Sequence, residues 1–159
     1  MPSSAAANDT ARLTSFIRYA ENQWHAVCGS ASDGPSITFN GDEYRRLPDR
    51  FGSREKIEAY FRRCWSKPLS RTLLCNLDPI NYQGRRYVIA SEPAPAPYTV
   101  EGLRILRRSA AGIVVSASLA GGDAGARTIR YTLVSAGGNL TIVSRSGRLN
   151  DSRFARCTS

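Results

Sequence analysis

The chain opens on a helical rhythm. Leu13, Phe16, Ile17, Ala20, Trp24, Val27 and Cys28 recur at the three-and-four spacing that gathers apolar side chains on one face of a helix. Asn8, Asp9 or Thr10 can cap its start, and Gly29 can end it. Alternation follows, with Ile37 and Phe39, then Asn40-Gly41, then Tyr44 and Leu47. Asn-Gly supplies the two positive φ angles of a tight turn, so this run predicts a hairpin. Ser53 predicts the cap of a second helix whose buried face is Ile57, Tyr60, Phe61, Cys64 and Trp65. Pro68 is expected to interrupt that helix and leave a short helical piece with Leu69, Leu73, Leu74 and Leu77.

From Pro79 onward the period falls to two. Ile80 and Tyr82, then Gln83-Gly84, then Tyr87 and Ile89 predict a second hairpin. Pro93, Pro95 and Pro97 force Ser91–Tyr98 out of any sheet. Four further strands are predicted at Leu103–Arg107, Ile113–Leu119, Thr128–Val134 and Leu140–Val143, separated by glycine-bearing turns. Helices first and strands afterwards predict an α+β fold: two main helices and a short third on a curved antiparallel sheet of about six strands. Residues 9–159 read as one domain behind a tail over 1–8. That N-terminal run lacks the basic and apolar pattern of a signal peptide. No stretch approaches the roughly 18 unbroken apolar residues that span a membrane.

The net charge is +9, and arginine supplies nearly all of the positive side chains. Such a balance favours acidic partners. The arginines come singly or in pairs (Arg45-Arg46, Arg62-Arg63, Arg85-Arg86, Arg107-Arg108), and no nucleic-acid-binding signature accompanies them, so no specific nucleic-acid partner is expected. The four cysteines, Cys28, Cys64, Cys75 and Cys157, contain no Cys-x-x-Cys pair, and His25 is the only histidine. That excludes zinc-ligand spacing and suits an oxidising compartment with one or two disulfides, in any of three complete pairings. Cys64 with Cys75 can close a small loop, and Cys157 can staple the last strand.

Candidate chemistry is sparse. No nucleophile elbow, phosphate loop or dinucleotide fingerprint is present, and the carboxylates are too scattered for a metal site. His25 and Cys28 share a helix face three residues apart, yet Cys28 belongs to the apolar stripe and no third group orients them. Asp42-Glu43 lies in a hairpin turn, where polar residues are needed anyway. Trp24, Trp65, Tyr44, Tyr82, Tyr87 and Tyr131 can line a pocket between helices and sheet or simply form the core. The expectation is a protein that binds, with no catalytic residue, metal or cofactor.

One resemblance sharpens that expectation. Tyr44-Arg-Arg-Leu47 with Phe51, the capped helix Phe51–Phe61, a Leu-rich turn, and Asn81-Tyr-Gln-Gly-Arg-Arg-Tyr-Val88 resemble the IseA-type family of bacterial DL-endopeptidase inhibitors. The likeness covers roughly 40–120. It implies a cystatin-like or nuclear-transport-factor-like cone and an extracytoplasmic protein of a Gram-positive bacterium. It also implies a loop that occupies the active site of an NlpC-type cysteine peptidase, a cell-wall hydrolase. The candidate loops here are Ser91–Tyr98, with Glu92, Pro95 and Tyr98, and Gly121–Ala126, with Asp123. The family's inhibitory loop is acidic, whereas this chain is basic. Two other readings therefore stand beside inhibition: a basic module for anionic cell-wall polymer, and a cone that holds a small ligand.

Overall fold

The first apolar stripe folds as two helices, α1 (Ser4–Glu21) and α2 (Gln23–Ser30). The computed structural model describes residues 4–90, 96–122 and 125–157. The break falls at Asn22, whose side chain bridges a distant backbone. Its Nδ2 donates to the Tyr98 carbonyl at 2.9 Å, and its Oδ1 accepts from the Tyr98 N–H at 2.8 Å. Asparagine competes with the helical ladder through such bonds. Helix α1 also starts ahead of the expected cap, so the segment expected as a tail is helical from Ser4. Leu13, Ile17, Ala20 and Val27 are buried, and Phe16, Trp24 and Cys28 lie at the edge of the core.

Both hairpins form where the alternation places them. Strands β1 (Ser36–Phe39) and β2 (Asp42–Arg46) join through Asn40 and Gly41 at φ 50° and 83°. Strands β3 (Ile80–Tyr82) and β4 (Arg85–Ile89) join through Gln83 and Gly84 at φ 51° and 76°. Between the hairpins runs α3 (Arg54–Phe61), capped by Ser53 Oγ, which accepts from the Lys56 N–H at 3.2 Å. Helix α3 ends before Cys64 and Trp65, which are buried beyond it. Pro68 starts a helix where an interruption was expected. It sits in the first turn of α4 (Lys67–Leu77), where a missing N–H costs nothing, behind the cap Ser66. Leu69, Leu73, Leu74 and Leu77 form its buried face.

The fold is α+β, but its layers differ from the expected count. Among the described residues, four α-helices accompany two antiparallel sheets of four strands each. The hairpins pair with each other through β2 and β4, in the order β1-β2-β4-β3. The remaining strands, β5 (Thr99–Ser109), β6 (Gly112–Ala120), β7 (Arg127–Ala136) and β8 (Asn139–Arg145), make a separate meander. A proline-rich run divides the two sheets in sequence, and proline cannot donate to a ladder. Register shifts at Val100/Gly102, Ile105/Arg107 and Thr132/Leu133 accompany the curl of the meander into a half-barrel. Its inner face buries Val115, Ala117, Leu119, Ile129, Tyr131, Leu133, Leu140 and Ile142 in one core with the helices. The outer edge of β8 is met by the α3–α4 connection. The Ile142 N–H donates to the Cys64 carbonyl at 2.7 Å, and the Ser66 N–H donates to the Ile142 carbonyl at 2.9 Å.

One disulfide, Cys75–Cys157, ties α4 to the C-terminal segment across 82 residues. Cys28 and Cys64 are free thiols, and burial pushes them up to about 11 and about 12. The expected Cys64–Cys75 loop is therefore not formed, and Cys157 staples α4 rather than the last strand. Of the aromatic residues with two readings, Trp65, Tyr87 and Tyr131 are core, Trp24 and Tyr44 are half-buried, and Tyr82 is exposed. No helix is long and apolar enough to cross a membrane among the described residues.

Candidate functional site

The last residue of α1, Glu21, is fully buried. A carboxylate there needs partners, and three elements supply them. Tyr131 of β7 donates its hydroxyl to Glu21 Oε2. Arg145, at the end of β8, donates to the same oxygen at 2.7 Å. Arg153, in a short 3-10 turn near the C-terminus, donates to Glu21 Oε1 at 2.8 Å and to the Glu21 backbone carbonyl at 2.9 Å. Asp151 completes the cluster, accepting from Arg153 at 2.7 and 3.0 Å and from Arg145 at 3.2 Å. Arg127 reaches Asp151 from the outside at 3.4 Å.

This network holds charge in place. Burial alone pushes Glu21 up, but the Arg145 and Arg153 charges and the hydrogen bonds they make outweigh it and hold Glu21 below the usual carboxylate range. Asp151 is likewise subject to burial, yet Arg153 and Arg145 bring it down to about 2. Burial and the Glu21 charge push Tyr131 well up, so it stays a neutral donor. Two aromatic rings seal the arginines. The Arg145 guanidinium lies 4.4 Å from the Phe154 ring centre, and the Arg153 guanidinium lies 4.3 Å from that of Tyr98.

Tyr98 links the network to the two candidate loops. It is 5% exposed, so it anchors the base of its loop instead of facing outward. Arg153 and Arg127 both lie against its ring, and Asn22 clasps its backbone. Immediately above, the Gly122 N–H donates to the Ala96 carbonyl at 2.8 Å, which brings the bases of Ser91–Tyr98 and Gly121–Ala126 together. Glycine is required at this junction. Gly121 sits at φ 104° and a side chain there would strike the Pro97 carbonyl, while one on Gly122, at φ 67°, would strike the Tyr98 ring. His25 Nε2 lies 3.3 Å from the same Ala96 carbonyl. Arg127 donates to the Gly125 carbonyl at 2.9 Å, and its Nε is buried with no hydrogen-bond partner among the described residues. Glu92, Pro95 and Asp123, the other expected contact residues, lie outside the described residues.

Sequence reasoning missed Glu21, Arg145, Asp151 and Arg153. One of them carried a signal: Glu21 falls four residues after Ile17, on the apolar stripe, where a lone carboxylate implies a buried partner. Arg145 carried none. Alternation from Leu140 and Ile142 puts Ser144 inward, but the shift at Thr132/Leu133 turns Arg145 in instead. The C-terminal turn has no periodicity to read.

Among the described residues, no group of three or more His, Cys, Asp or Glu side chains is placed to hold a metal ion. The fold and site define an α+β scaffold in which residues at the bases of two loops are clasped beside a buried ionic cluster. No protein-family model matches this chain, and no curated protein sequence matches it.

Proposed function

We propose that this protein is a non-catalytic recognition protein that presents the Ser91–Tyr98 and Gly121–Ala126 loops as one bipartite element. The observation that carries the reading is the clasp at the loop bases. The Gly122–Ala96 hydrogen bond joins the loops, and Tyr98 is gripped by Asn22, Arg127 and Arg153. Loops held at their bases lose less freedom on binding than loops that must first be ordered. The groups with displaced pKa beneath them are committed to ion pairs and hydrogen bonds, which suits anchoring. The partner is an NlpC-type cysteine peptidase of the cell wall, whose active-site cleft receives the loops, as the IseA resemblance implies. The Cys75–Cys157 disulfide supports the extracytoplasmic location that this partner requires.

The test is inhibition of purified NlpC-type DL-endopeptidases digesting peptidoglycan. The intact chain should slow digestion in proportion to its concentration. A variant with Glu92→Ala, Pro95→Ala and Asp123→Ala should lose that effect while keeping its thermal midpoint. Undiminished digestion across a panel of such peptidases rejects the partner. Inhibition that the loop variant retains rejects the loops.

A further inference from the structure

A second surface, built on α3 and the turn before it, has the chemistry of an anion site. Beside α2, the 3-10 turn Asp49–Phe51 and helix α3 enclose an open groove of about 390 Å³ lined by Arg50, Phe51, Lys56, Tyr60 and Arg63, with Ala26 and Ala59 on its walls. Lys56, Ala59, Tyr60 and Arg63 follow the three-and-four helical spacing along α3 and into the turn after it. They therefore form a stripe distinct from the buried Ile57 and Phe61. No carboxylate lines the groove among the described residues.

The three cations are positioned by their surroundings. Lys56 Nζ donates to the Asp49 backbone carbonyl at 3.0 Å, which orients the ammonium without neutralising it. The Arg50 guanidinium lies 5.1 Å from the Phe51 ring centre, and that of Arg63 lies 5.9 Å from the Tyr60 ring centre. None of the three makes an ion pair with a carboxylate among the described residues. Two nearby acids are engaged elsewhere: Glu58 with Arg71 at 3.3 Å, and Asp49 with Arg85 at 2.9 Å. Burial, together with the neighbouring Tyr19, pushes the Tyr60 phenol up, so it remains a neutral hydrogen-bonding group.

We infer that this groove binds a phosphate-bearing ligand, with Arg50, Lys56 and Arg63 on the phosphate oxygens and the half-buried Tyr60 ring against the rest of the molecule. Three unneutralised cations around one open volume exceed what a single carboxylate calls for. Two guanidinium forks and one ammonium point charge suit a group with three acceptor oxygens. The inference goes beyond the loop-insertion reading and does not depend on it.

Calorimetric titration tests it, with inorganic pyrophosphate standing for a free phosphate ligand, long-chain polyphosphate for a phosphate polymer, and citrate as a carboxylate control of similar charge. Saturable binding of the phosphate probes, tighter than citrate, is expected. The Lys56→Gln/Arg63→Gln variant should weaken it by about a hundredfold, since each charge-assisted hydrogen bond contributes roughly tenfold. Arg104→Gln/Arg107→Gln, on the exposed face of β5, should leave binding within about twofold. Tighter binding of polyphosphate per site assigns a polymer as the ligand, and equal binding assigns a free phosphate compound. Absence of saturation, equal affinity for citrate, or equal loss in the β5 variant overturns the inference.

Discussion

The same chemistry is used in opposite ways at two places in this molecule. Under the loop rim, Arg145 and Arg153 are buried and matched by Glu21 and Asp151. In the α3 groove, Arg50, Lys56 and Arg63 are exposed and unmatched by carboxylates. Desolvation explains the difference. A buried guanidinium has to be paired, so it spends its hydrogen bonds on its own chain and becomes a structural tie. A surface cation stays hydrated, and its bonds remain available to a ligand. Charge count alone therefore says little about binding, because part of it is locked inside.

The comparison can be broken most severely at the disulfide. Cys75–Cys157 holds the segment that carries Arg153 and Asp151, and closing a loop of 82 residues is worth ~4.5 kcal/mol in the chain-entropy account. Replacing both cysteines with serine should lower the denaturation midpoint in urea accordingly. A loss under about 1 kcal/mol would show that the ion network holds this end unaided. Glu21→Gln comes next. It leaves Arg145 and Arg153 short of a counter-charge, and an expected loss of about 3–5 kcal/mol follows from stranding buried charge. Chemical denaturation at neutral pH measures it.

Acid offers a gentler probe of the same side. Asp151 is depressed from 3.8 to about 2, so its contribution is fully present above pH ~4 and is lost as pH falls toward 2. That shift corresponds to about 2 kcal/mol, and Glu21, also lowered, acts in the same direction. Stability measured from pH 5 to pH 2 should fall, and the fall should shrink in Asp151→Asn. Gly121→Ala should cost about 1–3 kcal/mol through its positive φ and the Pro97 carbonyl, with loosened protection of the Tyr98 amide from hydrogen exchange. Least affected should be the groove. Lys56→Gln/Arg63→Gln should change stability by less than about 0.5 kcal/mol while weakening phosphate binding about a hundredfold, which separates recognition from support.

Much of the fold was legible because its signals are local. Asn40-Gly41 and Gln83-Gly84 announce their turns, Ser53 announces its helix, and the four long strands alternate plainly. The failures share a cause: each depends on a partner far along the chain. Asn22 splits a continuous stripe because Tyr98 takes its side chain. Pro68, expected to interrupt a helix, opens one instead, behind the turn at Trp65 that is bridged to Ile142. The candidate loops could be named from proline and glycine, but not that their bases touch.

By itself, the amino-acid order determined the elements: which segments are helix or strand, where most of them turn, and that a core exists. Those follow from periodicity and backbone chemistry within a few residues. Tertiary structure alone decided that the strands divide into two sheets, that Cys75 meets Cys157, and that Glu21, near one end of the chain, gathers two arginines from near the other. Such pairings are set by desolvation and three-dimensional packing, which couple residues with no regular spacing between them.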